Sequence, residues 1–367
     1  MVLKNLSLKN FIYNISKNKN QLILFGSGVL ANTFIKYIEK LNIDIKIKYI
    51  VDNDINKHGK VIEACDLKIY NPEVLDNIEN KKIVILITSS YYYEIVKQLD
   101  ICSNLYNVDC YILPIMYATN LNKSKNQIIN KHHNMLIPKK IHYMWFGTKK
   151  LPYNLQKCVD SWKKFCPDYE IIRWNESNYD ILKCEYTSQA YERKAWGFIP
   201  DYARLDILYE HGGIYMDTDV ELIKNLDEML YQKAFCSIEK WNVINFGGCS
   251  GSIPGNSGIE KILNIRKNIK FVNEDGSLNT MASGYYDTLP FINEGYIFNG
   301  KNQCVEDMNI YAYDYFHPYD YMTGKLELTE NTFGIHHFNG GWINDKYKIE
   351  RLRTQKKYNE VLSRMEV

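Results

Sequence analysis

Apolar runs bounded by polar residues recur along the first third of this chain in the order of alternating strands and helices. Gln21 to Phe25 reads as a strand that leads into Gly26-Ser27-Gly28-Val29-Leu30-Ala31. Asn32 to Leu41 has helical periodicity, and IKYIVDND ends a second strand at Asp54. Lys82 to Thr88, KIVILIT, is an unbroken apolar run, as a strand buried on both faces requires. Tyr92 to Leu99 reads as a helix and Val108 to Leu113 as another short strand. A glycine turn between strand and helix, with Asp52 closing the next strand, is the βαβ pattern of dinucleotide-binding units. The pattern predicts a small doubly wound, Rossmann-like N-terminal domain over residues 1–118. Ala31 stands at the third glycine of the fingerprint, and such a unit serves as a structural or docking module as well as a nucleotide site.

The periodicity then lapses. Ala118 to Asn134, ATNLNKSKNQIINKHHN, is polar and basic, which predicts a linker over 119–136. The adjacent His132 and His133 have no companion ligands in sequence and read as surface residues. A second α/β domain follows over 137–367. Its strand Ile137 to Gly147 is succeeded by a helix at Leu151 to Phe165 and a strand at Tyr169 to Trp174. Further strands are expected at Ala234 to Ile238, Asn245 to Gly248, Ile310 to Tyr315 and Thr332 to Phe338. Helices are expected at Gly258 to Lys267, Met281 to Phe291 and Lys346 to Met365.

Between these elements lies IPDYARLDILYEHGGIYMDTDV, Ile199 to Val220. A helix of about three turns stops at Gly212-Gly213, since glycine supplies the left-handed residue that ends a helix. Asp201 and Arg204, three apart, share one face of it. The β-branched and aromatic Ile214-Tyr215-Met216 predicts a strand, and alternation would then put Asp217 and Asp219 on one side of it. Two carboxylates so placed repel unless a cation lies between them. Mg²⁺ or Mn²⁺, which take carboxylate and phosphate oxygens together, answer that need.

Composition narrows the function classes. The 367 residues carry 45 basic and 43 acidic side chains for a net charge of +2, so charge gives no case for a nucleic-acid partner. Nine scattered cysteines without a CxxC pair fit a reducing compartment, and a cytoplasmic location is expected. No apolar run has the length of a membrane span. The basic C-terminal helix reads as a solvated face, with peripheral docking at the inner membrane surface the alternative.

The string DYARLDILYEHGGIYMDTDV, Asp201 to Val220, resembles the DxD region of glycosyltransferase family 32, which includes initiation mannosyltransferases and bacterial capsule enzymes. It is more distantly similar to the glucosyltransferase domains of clostridial toxins. The resemblance extends over roughly residues 137–345 and implies a GT-A fold, a nucleotide-sugar donor (a UDP-sugar above others), a divalent cation and retention of anomeric configuration. IPKKIHYMWFG is similar to the family's opening strand, which implies that Trp145 stacks on the donor base. The same resemblance sets Asp201, Arg204 and Asp217 against the donor as catalytic residues, with Arg204 reaching its phosphate or hydroxyls. FGIHHFNGGW is similar to the closing motif that returns to the metal. It implies Trp342 at the donor and His337, in the His-aromatic-x-Gly form, as the imidazole ligand beside Asp217 and Asp219. The serine that relatives carry before the tryptophan is Gly341 here. Met281 to Thr288 matches the family poorly, and Asp287 reads as an exposed helical carboxylate.

The expectation is a metal-dependent transferase acting on a glycan or lipid-linked acceptor, such as a bacterial capsule or lipopolysaccharide. No carboxylate stands at a nucleophile position, so front-face attack by the acceptor is the expected route. A toxin-like protein glycosyltransferase and a non-catalytic nucleotide-binding regulator are the rivals. The full Asp217, Asp219 and His337 set argues against the second.

Overall fold

The computed structural model describes residues 1–78, 82–119, 129–339 and 345–366. It is a mixed α/β chain that divides into two units. The first holds Met1–Asn122 together with Ile297–Gly300 and Arg353–Val367. Its six strands are β1 (Val2–Lys4), β2 (Gln21–Phe25), β3 (Ile47–Val51), β4 (Ile69–Tyr70), β5 (Ile83–Ile87) and β6 (Asp109–Ile112). All pair in parallel, in the order β1-β6-β5-β2-β3-β4. Helices α1 (Leu8–Asn18), α2 (Val29–Lys40), α3 (Tyr92–Asp100) and α4 (Leu113–Thr119) belong to this unit, as does the last helix of the chain from Arg353 onward. Every residue of β5 is buried, as its unbroken apolar run demands.

The glycine turn of this unit is closed on itself. Oδ2 of Asp52 accepts from the Ser27 backbone N–H at 2.8 Å and from its hydroxyl at 2.6 Å. Oδ1 of Asp52 accepts from the Asp54 N–H, and Lys57 Nζ lies 3.2 Å from Oδ2. The carboxylate that would take a ribose hydroxyl in a dinucleotide site is here satisfied by the loop it faces. Neither β1 nor α4 is legible in the sequence, because a three-residue strand and a seven-residue helix are too short to show a period.

The second unit comprises Lys123–Tyr296 and Lys301–Leu352. It opens with β7 (Lys140–Met144), α5 (Tyr153–Phe165), β8 (Glu170–Trp174), α6 (Glu185–Glu192) and α7 (Pro200–His211). There follow β9 (Gly213–Tyr215), β10 (Val220–Leu222), β11 (Ala234–Ile238), β12 (Ile244–Asn245) and β13 (Ser250–Ser252). After helices α8 (Ser257–Arg266) and α9 (Ser283–Asn293) come β14 (Gln303–Val305), β15 (Met308–Tyr311) and the small β16 (Tyr319–Asp320) and β17 (Lys325–Leu326) pair. The chain closes with β18 (Gly334–His336) and α10 (Asp345–Ser363).

The main sheet runs β14-β15-β11-β13-β9-β7-β8, with β12 beside β11. Parallel pairs at β7-β8, β7-β9 and β11-β15 are joined by antiparallel β13. A separate antiparallel pair, β10-β18, sets Val220 opposite His336. Among the described residues no helix is long and apolar enough to cross a membrane.

Helix α7 is buried from Asp201 through Leu208, more than one stripe wide, which is the mark of a core helix. Pro200 sits in its first turn, where a missing N–H costs nothing. Gly212 ends it with φ of 63°, and a Cβ there would overlap Pro254 and the Ser252 carbonyl. The helix therefore stops at one fixed residue and hands the chain directly to β9.

Candidate active site

β9 ends at Tyr215, so the two aspartates lie beyond it on a turn and not along the strand. The turn is closed by the Val220 N–H donating to the Asp217 carbonyl at 3.1 Å. The chain's bend, and not strand alternation, brings the two carboxylates together. Position along the sheet is set by the parallel register Ile141↔Ile214 and by the Asp217 N–H donating to the Gly247 carbonyl at 2.8 Å.

The third member comes from β18. Asp217, Asp219 and His336 each offer one ligand atom, and these atoms lie within 4.8 Å of one another. His336 Nε2 is 3.4 Å from Asp219 Oδ1. The expected His337 is not part of this group, because its imidazole turns to Glu221 at 2.9 Å. The antiparallel pairing of β18 with β10 decides the matter. Facing Val220, His336 stands beside the turn, and alternation sends the next side chain the other way.

Burial alone would raise the Asp219 carboxyl, but the His336 imidazole and the Asn339 N–H, at 2.7 Å, hold it below the usual carboxylate range. Burial works against a proton on His336, yet Asp219, Asp217 and Glu239 hold its pKa above the ordinary value. His336 Nδ1 is buried and, among the described residues, has no hydrogen-bond partner. Two carboxylates and an imidazole, with one ring nitrogen unsatisfied, form a donor set suited to a hard divalent cation that also takes phosphate oxygens.

Beside this group lies Arg204, 4% exposed. Its Nε donates to the Pro200 carbonyl at 2.8 Å, Nη2 pairs with Asp201 Oδ1, and Nη1 lies 3.4 Å from Asp217 Oδ2. Desolvation opposes its charge, but Asp217 and Asp201 more than offset that, so the guanidinium is firmly ionised. Burial raises the Asp201 carboxyl, against which Arg204 and Arg266 act. Tyr215 donates its hydroxyl to Asp217 Oδ1 at 2.9 Å.

These residues line a cleft of about 1250 Å³. Trp145 lines it too, with its indole N–H donated to the Lys149 carbonyl at 2.7 Å. Trp342 lies outside the described residues. Asp287, expected at the surface, is fully buried on α9 and paired with Arg266 of α8 at 2.6 and 3.0 Å. The packing of α8 on α9 turns a helical carboxylate inward onto Arg266, a pairing 21 positions apart that the local sequence does not encode.

Sequence reasoning does not single out Glu239, Asn245 or Gly247. The cleft includes Glu239 and Asn245. Gly247 has no room for a methyl, which would overlap Asp217 and Arg204. The Asn-x-Gly-Gly string after an apolar strand is their one visible signal.

Residues 152–236 match the family model described as glycosyltransferase sugar-binding region containing DXD motif. The chain is 31% identical over 132 residues to inositol phosphoceramide mannosyltransferase 3 of Schizosaccharomyces pombe, a match covering 33% of this chain and 36% of that protein. An uncharacterized glycosyltransferase of Acanthamoeba polyphaga mimivirus is 29% identical over 192 residues, covering 50% of this chain and 74% of that one. The match thus spans about a third of the yeast protein's length. Among solved structures, PaToxG Glycosyltransferase aligns at 21% identity over 35% of this chain and 60% of its own, with a TM-score of 0.27, too loose a likeness to bear on the fold. The Asp217–Asp219 turn thus falls inside the segment that matches the DXD-containing sugar-binding region of glycosyltransferases.

Proposed function

We propose that this chain is a metal-dependent, retaining glycosyltransferase of GT-A arrangement that moves a sugar from a nucleotide-sugar onto a glycan or lipid-linked acceptor, such as a bacterial surface glycan. The observation that carries this reading is the meeting of Asp217, Asp219 and His336 beside a buried Arg204 in one large cleft. Breaking the anomeric C–O bond leaves a nucleoside diphosphate with added negative charge. A divalent cation bound by the three ligands would supply Lewis-acid stabilisation of that charge. Arg204 supports the same charge from the protein side. Its guanidinium is fixed by Pro200 and Asp201, so no reorganisation is needed when the bond breaks. Asp201 acts by orienting Arg204, and Tyr215 by orienting Asp217. The Trp145 indole face is available to the donor base, with its ring set by the bond to Lys149.

UDP-sugars remain the first donors to try, and the mannosyltransferase named among the relatives adds a mannose donor to the set. The test is a panel of UDP- and GDP-sugars incubated with Mn²⁺ or Mg²⁺, following release of free sugar and its anomeric form. Hydrolysis of one donor with retained configuration supports the reading. Binding of nucleoside diphosphates without turnover of any donor, with or without candidate acceptors, would favour a regulatory binding protein.

A further inference from the structure

Glu239 follows β11 directly and lines the cleft that holds Arg204, Asp217, Asp219 and His336. A tight turn fixes it: its N–H donates to the Val243 carbonyl and its carbonyl accepts from the Asn242 N–H, both at 2.9 Å. Asn242 takes a left-handed φ of 58° to close that turn. β12 then returns antiparallel to β11 and sets Asn245 beside Glu239.

The orientation of the Asn245 amide is dictated by its own partners. Oδ1 accepts from the Gly247 and Gly248 N–H groups at 2.7 and 3.0 Å, so the NH₂ must be the end that faces Glu239 Oε1, at 2.5 Å. One carboxylate oxygen is thereby held, and among the described residues no other side chain bonds to Glu239. Its Lys240 neighbour is committed elsewhere, to Asp320 at 3.9 Å and Glu327 at 3.5 Å. No Lys or Arg of the described residues forms an ion pair with Glu239. A partly buried carboxylate of fixed orientation, with Oε2 bonded by no side chain of the described residues, can take an O–H donor of a substrate.

We propose that Glu239 is a specificity-determining residue that takes a hydroxyl of the transferred sugar, and that it selects a neutral hexose over a uronic acid. This rests on the transferase reading above. Arg204, and a cation held by the three-ligand group, would serve the diphosphate. Lys149, Lys150, Glu176 and Lys194 also line the cleft, on the segments around Trp145 and Trp196, whereas Glu239 stands on the turn between β11 and β12; a second carboxylate brought beside it would be repelled while a hydroxyl would be bound.

The test measures dissociation constants in Mn²⁺ for UDP, GDP, UDP-glucose, UDP-galactose and GDP-mannose, and for the uronate counterpart of each sugar nucleotide. Glu239→Gln is the variant, since glutamine keeps the volume and the acceptor for Asn245 while losing the charge. The unchanged protein should bind the preferred hexose nucleotide at least about tenfold tighter than its uronate counterpart. Glu239→Gln should bind bare nucleoside diphosphate as before and lose most of that difference. Equal affinity for hexose and uronate in the unchanged protein overturns the proposal. So does an equal loss for both in Glu239→Gln, which would make the residue a general support of the cleft. Intact diphosphate binding in either case leaves the transferase reading standing. Failure of the unchanged protein to bind any nucleoside diphosphate would overturn both.

Discussion

Three acceptors converge on Arg204: the Pro200 carbonyl, Asp201 and Asp217. An exposed pair three residues apart on a helix is worth only a few tenths of a kcal/mol, but this one is buried, so removing the cation strands two carboxylates. Arg204→Ala should lower kcat by about 10²-fold or more, since the charge it faces grows as the bond breaks. Arg204→Lys should recover little, because an ammonium lacks the planar fork. Donor-saturation curves, with folding followed by circular dichroism, check this. A rise in KM with kcat unchanged would make Arg204 a ground-state binder.

The two histidines give a second test at this scale. His336→Ala should weaken Mn²⁺ binding by about 10–100-fold or more, while His337→Ala should leave it nearly intact, as read by calorimetric titration. The reverse order would restore His337 as the ligand. The Asp201 and Arg204 pair is legible in the sequence because helical spacing is local. The choice of His336 is not, because it depends on which residue of β18 pairs with Val220, a contact between segments 116 positions apart that no single stretch encodes.

At the scale of elements, the order of strands and helices in both units follows from apolar runs, as the fully buried β5 illustrates. The strand expected to carry the DxD pair stops earlier, at Tyr215, because the chain must turn toward β10. Gly247 belongs to the loop that supports this turn. Gly247→Ala should lower activity by about 10²-fold through displacement of Asp217 and Arg204, with a much smaller change in melting temperature. Equal losses of stability and activity would make it a folding residue only.

His142 on β7 fixes the end of α7. Its Nε2 contacts the Gly212 carbonyl at 2.9 Å, and Trp174 donates to Nδ1 at 3.1 Å. Burial pushes its pKa from 6.5 down to about 4. Below pH 6.5 the unfolded chain takes a proton that the folded one refuses, so stability falls as pH drops from 6.5 towards 4. At about 1.4 kcal/mol per unit the loss is on the order of 3 kcal/mol. Urea titrations across that window should show it, and His142→Gln should flatten the profile. A profile of unchanged slope in the variant would assign the loss to other groups.

For the whole molecule, every residue that lines the cleft belongs to the second unit. The first unit shows a Rossmann-like sheet whose Asp52 is already satisfied by its own loop, so its glycine motif gives no argument for a second nucleotide. In the proposed reading Asp217, Asp219 and His336 hold the cation that makes sugar transfer run. The most direct measurement is turnover of the preferred nucleotide-sugar by the whole chain in Mn²⁺, in EDTA, and in EDTA with Mn²⁺ restored, beside a folded Asp219→Asn variant. EDTA should abolish turnover and Mn²⁺ restore it, while Asp219→Asn should lack turnover in every condition. Undiminished turnover in EDTA, or by Asp219→Asn, would contradict it.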